Sequence, residues 1–191
     1  MLYTLAGIVA LKKDNFFVLE VGGFGIKVFA PLNVLRDLQM GKTTKIFTSF
    51  KVKEDAFEIY GFLNEEEMNF FELLNSVNGV GPKTALNIMN IDVFDRLVAA
   101  ISEGKVELLT KASGIGKKTA ERVILELRGK LGREGTMELV GIMESDHDIV
   151  EALVGLGYTK SQAKSAISKV DEKLKKLEER IKAALKILKN G

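Results

Sequence analysis

The sequence contains no cysteine and only one histidine. Without cysteine the chain can form neither disulfides, nor thiolate nucleophiles, nor a zinc site with Cys ligands. No apolar run approaches the roughly 18 residues that a membrane-spanning helix needs. The apolar start of the chain is followed, not preceded, by the charges of Lys12 and Lys13. A signal peptide has the opposite order, so we expect a soluble cytoplasmic protein.

A large excess of positive charge is also missing. The chain has 28 Lys+Arg against 26 Asp+Glu, a formal net charge of +2. A protein that coats nucleic acid through bulk charge is expected to be far more basic, so any contact with nucleic acid must be local. Apolar residues are abundant, at 46% of the 191 positions, which is enough to form packed cores.

The sequence pattern changes twice along the chain. Residues 1–63 contain short apolar runs separated by turn signals, which indicates five or six strands in a small barrel such as an OB-fold, with a sandwich as the alternative. From residue 64 to residue 131 the hydrophobic period is helical. Residues 132–145 are polar and glycine-bearing, as is typical of a linker, and residues 146–191 predict a three-helix bundle. We therefore expect a multi-domain α+β protein.

Capping residues support these helices. Asn64 is expected to cap the first helix, because three glutamates follow it where the helix dipole favours negative charge. In the C-terminal segment, Ser145 or Asp146 is the expected cap of one helix, and Thr159 or Ser161 that of the next.

An internal repeat carries the most information. Residues 78–85 read Asn-Gly-Val-Gly-Pro-Lys-Thr-Ala, and residues 113–120 read Ser-Gly-Ile-Gly-Lys-Lys-Thr-Ala, an offset of 35 positions (113 minus 78). Each copy follows a helical segment and begins another. A helix–turn–helix unit is therefore used twice.

The chemistry of the repeat follows from its turn. Gly-x-Gly allows positive φ and close approach of a ligand, and the first N–H groups of the following helix have no internal partner. This arrangement predicts a phosphate site, and lysines in the first helical turn fit a bound anion. A nucleotide P-loop fits poorly, because it has four residues between its glycines. The candidate phosphate-binding residues are Gly79, Val80, Gly81, Lys83, Thr84, Gly114, Ile115, Gly116, Lys117, Lys118 and Thr119.

The two turns resemble helix-hairpin-helix DNA-binding motifs, and the whole chain resembles the RuvA family of bacterial Holliday-junction-binding proteins. The resemblance is carried by Leu5-Ala6-Gly7, by Lys53-Glu54-Asp55-Ala56 followed by Tyr60-Gly61-Phe62, by residues 114–122 and by residues 152–158. It implies an N-terminal OB-fold, a tandem helix-hairpin-helix domain and a C-terminal three-helix bundle of the ubiquitin-associated (UBA-like) type.

The resemblance also implies roles. A homotetramer would hold a four-way DNA junction open and square-planar, contacting backbone phosphates and not base sequence. Glu54 and Asp55, which alone indicate only a polar hairpin tip, would form an acidic pin at the junction centre. The sequence leaves open whether one tetramer or two facing tetramers, an octamer, cover the junction.

The resemblance implies a role in recombination, in DNA repair and in the SOS response to DNA damage. The C-terminal bundle would dock on a RuvB-type hexameric AAA+ ATPase that drives branch migration, with Leu153, Leu156 and Tyr158 as candidate contacts, although bundle core is the alternative for all three. A RuvC-type resolvase is a further implied partner. The resemblance implies no cofactor, no metal and no catalytic site in this chain.

Two other classes of function remain open at this stage. A helix-hairpin-helix glycosylase needs a catalytic Asp after the second hairpin, but the next Asp here is Asp146, beyond the predicted linker. A metal-dependent nuclease needs clustered carboxylates, and the sequence has no convincing set. The second class is a protein-interaction scaffold without a DNA role.

Overall fold

The computed structural model describes residues 2–131, 137–171, 174 and 177–189, with only the backbone described for 137–144. The chain divides into two compact units, Met1–Glu134 and Gly135–Gly191. None of the helices in the described ranges is long and apolar enough to cross a membrane.

The N-terminal part of the first unit is a closed barrel with the strand order β1-β2-β3-β5-β4. All neighbours pair antiparallel except β3 and β5, which are parallel. The predicted barrel is thereby confirmed, and the sandwich alternative is wrong. Its elements are β1 (Thr4–Lys12), β2 (Phe16–Val21), β3 (Phe24–Phe29), α1 (Leu32–Asp37), β4 (Thr43–Val52) and β5 (Phe57–Phe62).

Alternating side chains fill the barrel. Along β2, Phe17 and Leu19 are fully buried while Glu20 is exposed, which is the two-residue period of a strand with one face in a core. Gly61 on β5 lies where the interior is narrow, because a Cβ there would lie 2.5 Å from Val28 Cγ1. The packing of the barrel thus requires glycine at position 61.

Helices form the rest of the first unit. The Asn64 side chain accepts a hydrogen bond from the Glu67 amide at 2.8 Å, so the predicted cap is confirmed. Phe71, in the first of these helices, is fully buried against the barrel residues Tyr60 and Phe62, with ring centroids 4.9 Å and 5.0 Å away. The helices are α2 (Glu65–Ser76), α3 (Pro82–Met89), α4 (Phe94–Ser102), α5 (Val106–Leu109) and α6 (Lys117–Leu127).

The second unit contains the three expected C-terminal helices, α7 (Met137–Gly155), α8 (Lys160–Ile167) and α9 (Leu177–Lys189). Thr159, and not Ser161, caps α8, in a reciprocal capping box with Gln162. The unit is closed around buried Ile149, Leu153 and Ala184.

The predicted start of the first C-terminal helix is wrong. Helix α7 begins at Met137, so Ser145 and Asp146 lie inside it and do not cap it. Of the predicted linker, residues 137–145 are helical, while 132–136 lie outside the described residues. The sequence Met-Glu-Leu-Val at 137–140 suits a helix, and the polar residues at 145–148 do not end it. The domain boundaries at 63 and 131 stay predictions.

Asp146 has a different role. Its carboxylate pairs with Arg180 of α9, at 2.6 Å from Nη2 and 2.8 Å from Nε, and both side chains are buried. Arg180 Nη1 also donates to the Leu174 carbonyl at 2.9 Å. A buried ion pair is tolerated when such hydrogen bonds satisfy the remaining donors.

Candidate nucleic-acid interface

The first glycine turn joins α2 to α3. Gly79 adopts φ +90°, in the left-handed region that only glycine enters without strain. Gly81 is the residue before α3 and has an extended backbone, with φ −85° and ψ 173°. Pro82 occupies the first helical position, as expected from the sequence, because its missing N–H is not needed there.

The second turn, between α5 and α6, repeats this geometry. Gly114 has φ +85°, and Gly116 is extended, with φ −89° and ψ 168°. The hydrogen bonds of the two turns also correspond. The Val80 amide donates to the Val77 carbonyl at 3.0 Å, and the Ile115 amide donates to the Ala112 carbonyl at 3.2 Å. The repeat in sequence is therefore a repeat in structure.

In each turn, the backbone conformation requires glycine at the first of the two glycine positions but not at the second. Only Gly79 and Gly114 have positive φ; Gly81 and Gly116 do not. A Cβ on Gly81 or Gly116 would meet no other atom within 4 Å. These positions are exposed, and the protein's own packing does not require glycine there. A glycine at either position leaves the backbone open to a ligand.

The residue between the glycines anchors the turn. The side chains of Val80 and Ile115 are only 4% and 7% exposed. They pack inward, so the contribution of these two candidates to binding is limited to their backbone. Their burial turns the outer edge of each turn toward solvent.

The first amides of α3 and α6 are the predicted phosphate donors. In α3 the Ala85 amide donates to the Gly81 carbonyl at 2.9 Å, and in α6 the Ala120 amide donates to the Gly116 carbonyl at 3.0 Å. The amides of Lys83 and Lys118 come before these bonds, in the part of the helix that lacks i−4 partners. Both lysine side chains are exposed.

The remaining candidates complete the two sites. Lys117 is exposed at the first position of α6, while Thr84 and Thr119 are half-buried at the third positions of α3 and α6. We call residues 79–84 the first clamp and residues 114–119 the second clamp. Each clamp presents open backbone, helix-start amides and lysine to solvent, which is the chemistry of an anion site.

The predicted acidic pin is the turn between β4 and β5. The Lys53 amide donates to the Ala56 carbonyl at 2.9 Å, which closes the hairpin and places Glu54 and Asp55, both exposed, at its tip. Lys53 Nζ lies 2.7 Å from Glu58 Oε2, so the lysine pairs with the strand below the tip. The tip is therefore a concentrated negative charge.

The charges that act on Glu58 include that of Lys83 in the first clamp. Its pKa is lowered mainly by the hydrogen bond from Lys53, then by that from Tyr60, with a smaller contribution from the charge of Lys83. Burial raises the pKa of the Tyr60 hydroxyl, and its hydrogen bond to Glu58 raises this pKa further. Lys51 of β4 also forms an ion pair with Glu72 of α2 at 2.5 Å. The charge of Lys83 thus acts on Glu58 in the pin hairpin, with a smaller effect than that of Lys53.

Sequence reasoning missed Asn87 and Arg122. Asn87 Nδ2 donates to the Ser113 carbonyl of the second turn at 2.9 Å, and Arg122 Nη1 donates to the Asn78 carbonyl of the first turn at 3.1 Å. The signal was present, since both residues occupy the same repeat position and both are donors. Their different side chains obscured it.

The C-terminal candidates separate into two groups. Leu153 is fully buried and Tyr158 packs against the same core, whereas Leu156 is 66% exposed. Leu153 therefore belongs to the core and cannot present its side chain to a partner. Among the residues that the structure describes, no group of three His, Cys, Asp or Glu side chains could hold a metal ion.

Comparison with known proteins agrees with this arrangement. A model of the RuvA N terminal domain matches residues 1–61, one described as a SAM-like helix-hairpin-helix tandem matches residues 71–130, and one of the RuvA C-terminal domain matches residues 147–189. A protein of Thermoanaerobacter sp. (strain X514) is 43% identical over 189 residues, covering 98% of this chain and 99% of its own length. The chain belongs to the RuvA family.

Other members of the RuvA family are similar along their whole length. A protein of Caldanaerobacter subterraneus subsp. tengcongensis is 40% identical over 192 residues, covering 98% of this chain and 99% of its own length. One of Dehalococcoides mccartyi (strain CBDB1) is 36% identical over 193 residues and covers both chains completely. All three are named Holliday junction branch migration complex subunit RuvA. The resemblance predicted from the sequence is confirmed, as is the predicted fold class.

Proposed function

We propose that this protein binds four-way DNA junctions through the first and second clamps and acts as a non-catalytic subunit of a branch migration complex. The observation that carries the proposal is the paired geometry of the clamps in one compact unit. Two anion sites fit a polymer of phosphates better than a single nucleotide. The names of the relatives support the same activity.

Recognition would depend on the phosphates of the DNA backbone and not on base sequence. The clamps offer main-chain amides and lysine charges, which fit phosphate oxygens. If three lysines per subunit engage in a homotetramer, about 12 cations meet phosphates, and the limiting slope of log K against log salt is about −11. Binding should therefore weaken steeply as the salt concentration rises.

The pin would act by repulsion. A tetramer would bring Glu54 and Asp55 from four subunits to the junction centre. One carboxylate and one phosphate about 4 Å apart repel by roughly 4 kcal/mol at an effective dielectric constant of 20, less when salt screens them. Such repulsion keeps the crossing strands apart and holds the arms open, and it hydrolyses nothing.

The second unit would supply the contact with the motor. We propose that its surface around Leu156, the exposed member of the three candidates, docks on a RuvB-type AAA+ ATPase in the cytoplasm. A RuvC-type resolvase and a second, facing tetramer are further proposed partners on the junction.

The experiment compares a four-way junction with a linear duplex of the same sequence in a mobility-shift titration. The parent protein should bind the four-way junction at least about tenfold more tightly, because only the junction engages all subunits. The Lys83→Ala/Lys118→Ala variant should lose at least about tenfold in junction affinity. The control Lys160→Ala/Lys169→Ala removes two exposed lysines from the second unit and should bind like the parent.

Four outcomes would contradict the proposal. Equal affinity for junction and duplex would remove the structural specificity. Equal loss in the clamp variant and the control would mean that only net charge matters. Cleavage of a labelled junction after addition of Mg²⁺ would favour the repair-enzyme alternative, and absence of any DNA binding would favour the protein scaffold.

A further inference from the structure

A reciprocal pair of hydrogen bonds connects the two clamps. Asn87 lies in α3, the helix of the first clamp, but its side chain bonds to Ser113, which begins the second turn. Arg122 lies in α6, the helix of the second clamp, but its side chain bonds to Asn78, which begins the first turn. Each clamp is thus held by the helix of the other.

The two bonds are equivalent under the internal repeat. Asn87 and Arg122 are 35 positions apart, and so are Asn78 and Ser113, which is the offset of the repeat itself. The donors therefore occupy one position of the repeat and the acceptors another. Such an exchange is what two units related by an approximate two-fold axis produce.

The turns are also in direct proximity at this place. A Cβ on Gly114 of the second clamp would lie 3.8 Å from Thr84 Oγ1 of the first clamp, which is ordinary van der Waals distance. Each turn keeps its own shape through a buried anchor, Val80 or Ile115. The buried anchors do not set the distance between the two clamps. The reciprocal hydrogen bonds of Asn87 and Arg122 constrain that distance.

We propose that Asn87 and Arg122 are positioning residues, which hold the two clamps at the separation and orientation that one arm of the junction requires. The inference rests on the proposed function. A clamp pair that is fixed before binding loses less conformational freedom when two phosphates are engaged together, and this raises affinity without any new contact to DNA. Carbonyls that accept these bonds are also kept away from the incoming phosphates.

The test uses Asn87→Ala and Arg122→Gln in the full-length protein, with four-way junction binding measured over a series of salt concentrations. Each variant should lose about tenfold in affinity, because a tetramer would lose four positioning bonds. The slope of log K against log salt should stay that of the parent, because no phosphate contact is removed. The double variant should lose less than the product of the two single losses, since both bonds hold one spacing.

Matched controls separate position from composition. Asn69→Ala removes an exposed asparagine from α2, and Arg128→Gln removes an exposed arginine from the end of α6; both should bind like the parent. Circular dichroism melts check folding, and Asn87→Gln serves as a second variant if Asn87→Ala unfolds.

The inference is overturned if Asn87→Ala binds within twofold of the parent. It is also overturned if Arg122→Gln alone weakens binding with a shallower salt slope, since Arg122 would then contact a phosphate directly. These results differ from failure of the proposed function, in which the parent protein itself shows no preference for the four-way junction; that result removes both.

Discussion

Gly79 and Gly81 are two positions apart, and the backbone uses them differently. Gly79 has φ +90°, so any side chain there is strained, whereas Gly81 is extended and has open space around its Cα. The first glycine therefore serves the fold, and the second leaves the backbone amides of the first clamp accessible. Gly114 and Gly116 have the same two roles in the second clamp.

This difference gives a prediction at the residue scale. Gly79→Ala should lower the free energy of unfolding by about 1 kcal/mol or more, because alanine is forced into the left-handed region. Gly81→Ser should leave stability nearly unchanged, since serine is a good helix N-cap, but it should weaken junction binding by placing a side chain at the amides. Urea denaturation and junction titration on both variants check this. Equal effects of both variants on stability would contradict it.

Glu58 gives a pH-dependent prediction. Its pKa is lowered in the folded protein, so its ion pair with Lys53 stabilises the fold above the pKa of the unfolded chain and is lost as the pH falls through the folded value. Glu58→Gln should therefore be less stable than the parent by up to about 1 kcal/mol at pH 7. The difference should shrink below about pH 4. Urea denaturation followed by circular dichroism at pH 7 and at lower pH measures it; a gap that widens in acid would contradict the assignment.

At the scale of elements, helix α2 packs on the barrel next to the hairpin that carries Glu54 and Asp55. Phe71 of α2 packs on Tyr60 and Phe62 of β5, the strand that follows the pin. Phe71→Ala should lower stability by about 3–5 kcal/mol, as expected for a large buried aromatic side chain. The control Phe24→Ala removes a ring that is 75% exposed and should have a small effect. Thermal melts compare the two; similar losses would contradict a role for Phe71 in this packing.

The same scale shows what the sequence could and could not predict. Strands such as β2 and caps such as Asn64 depend on neighbouring residues, so local patterns predicted them correctly. Helix α7 starts at Met137 because the polar residues at 145–148 do not end the helix. Whether Leu153 lies in the core or at the surface depends on packing against α8 and α9, so the local pattern left both possibilities open. The bond from Asn87 to Ser113 joins residues 26 positions apart and depends on the fold of the tandem as a whole.

At the scale of the whole molecule, the two compact units should have separable roles. Arg180→Ala leaves Asp146 buried without its partner guanidinium, which should destabilise the second unit by about 3–5 kcal/mol. Junction binding by the first unit should be unchanged. Limited proteolysis combined with junction titration checks this, with Lys182→Ala, an exposed change on the same helix, as the control. Loss of junction binding together with the fold of the second unit would contradict the separation.

The most direct measurement is a structure of the full-length protein bound to a four-way DNA junction. The account predicts phosphate oxygens at hydrogen-bond distance, about 2.7–3.2 Å, from amides of both clamps, with Lys83 and Lys118 beside them and Glu54 and Asp55 at the crossover. DNA bound to another surface, with the glycine turns facing away from every strand, would contradict it.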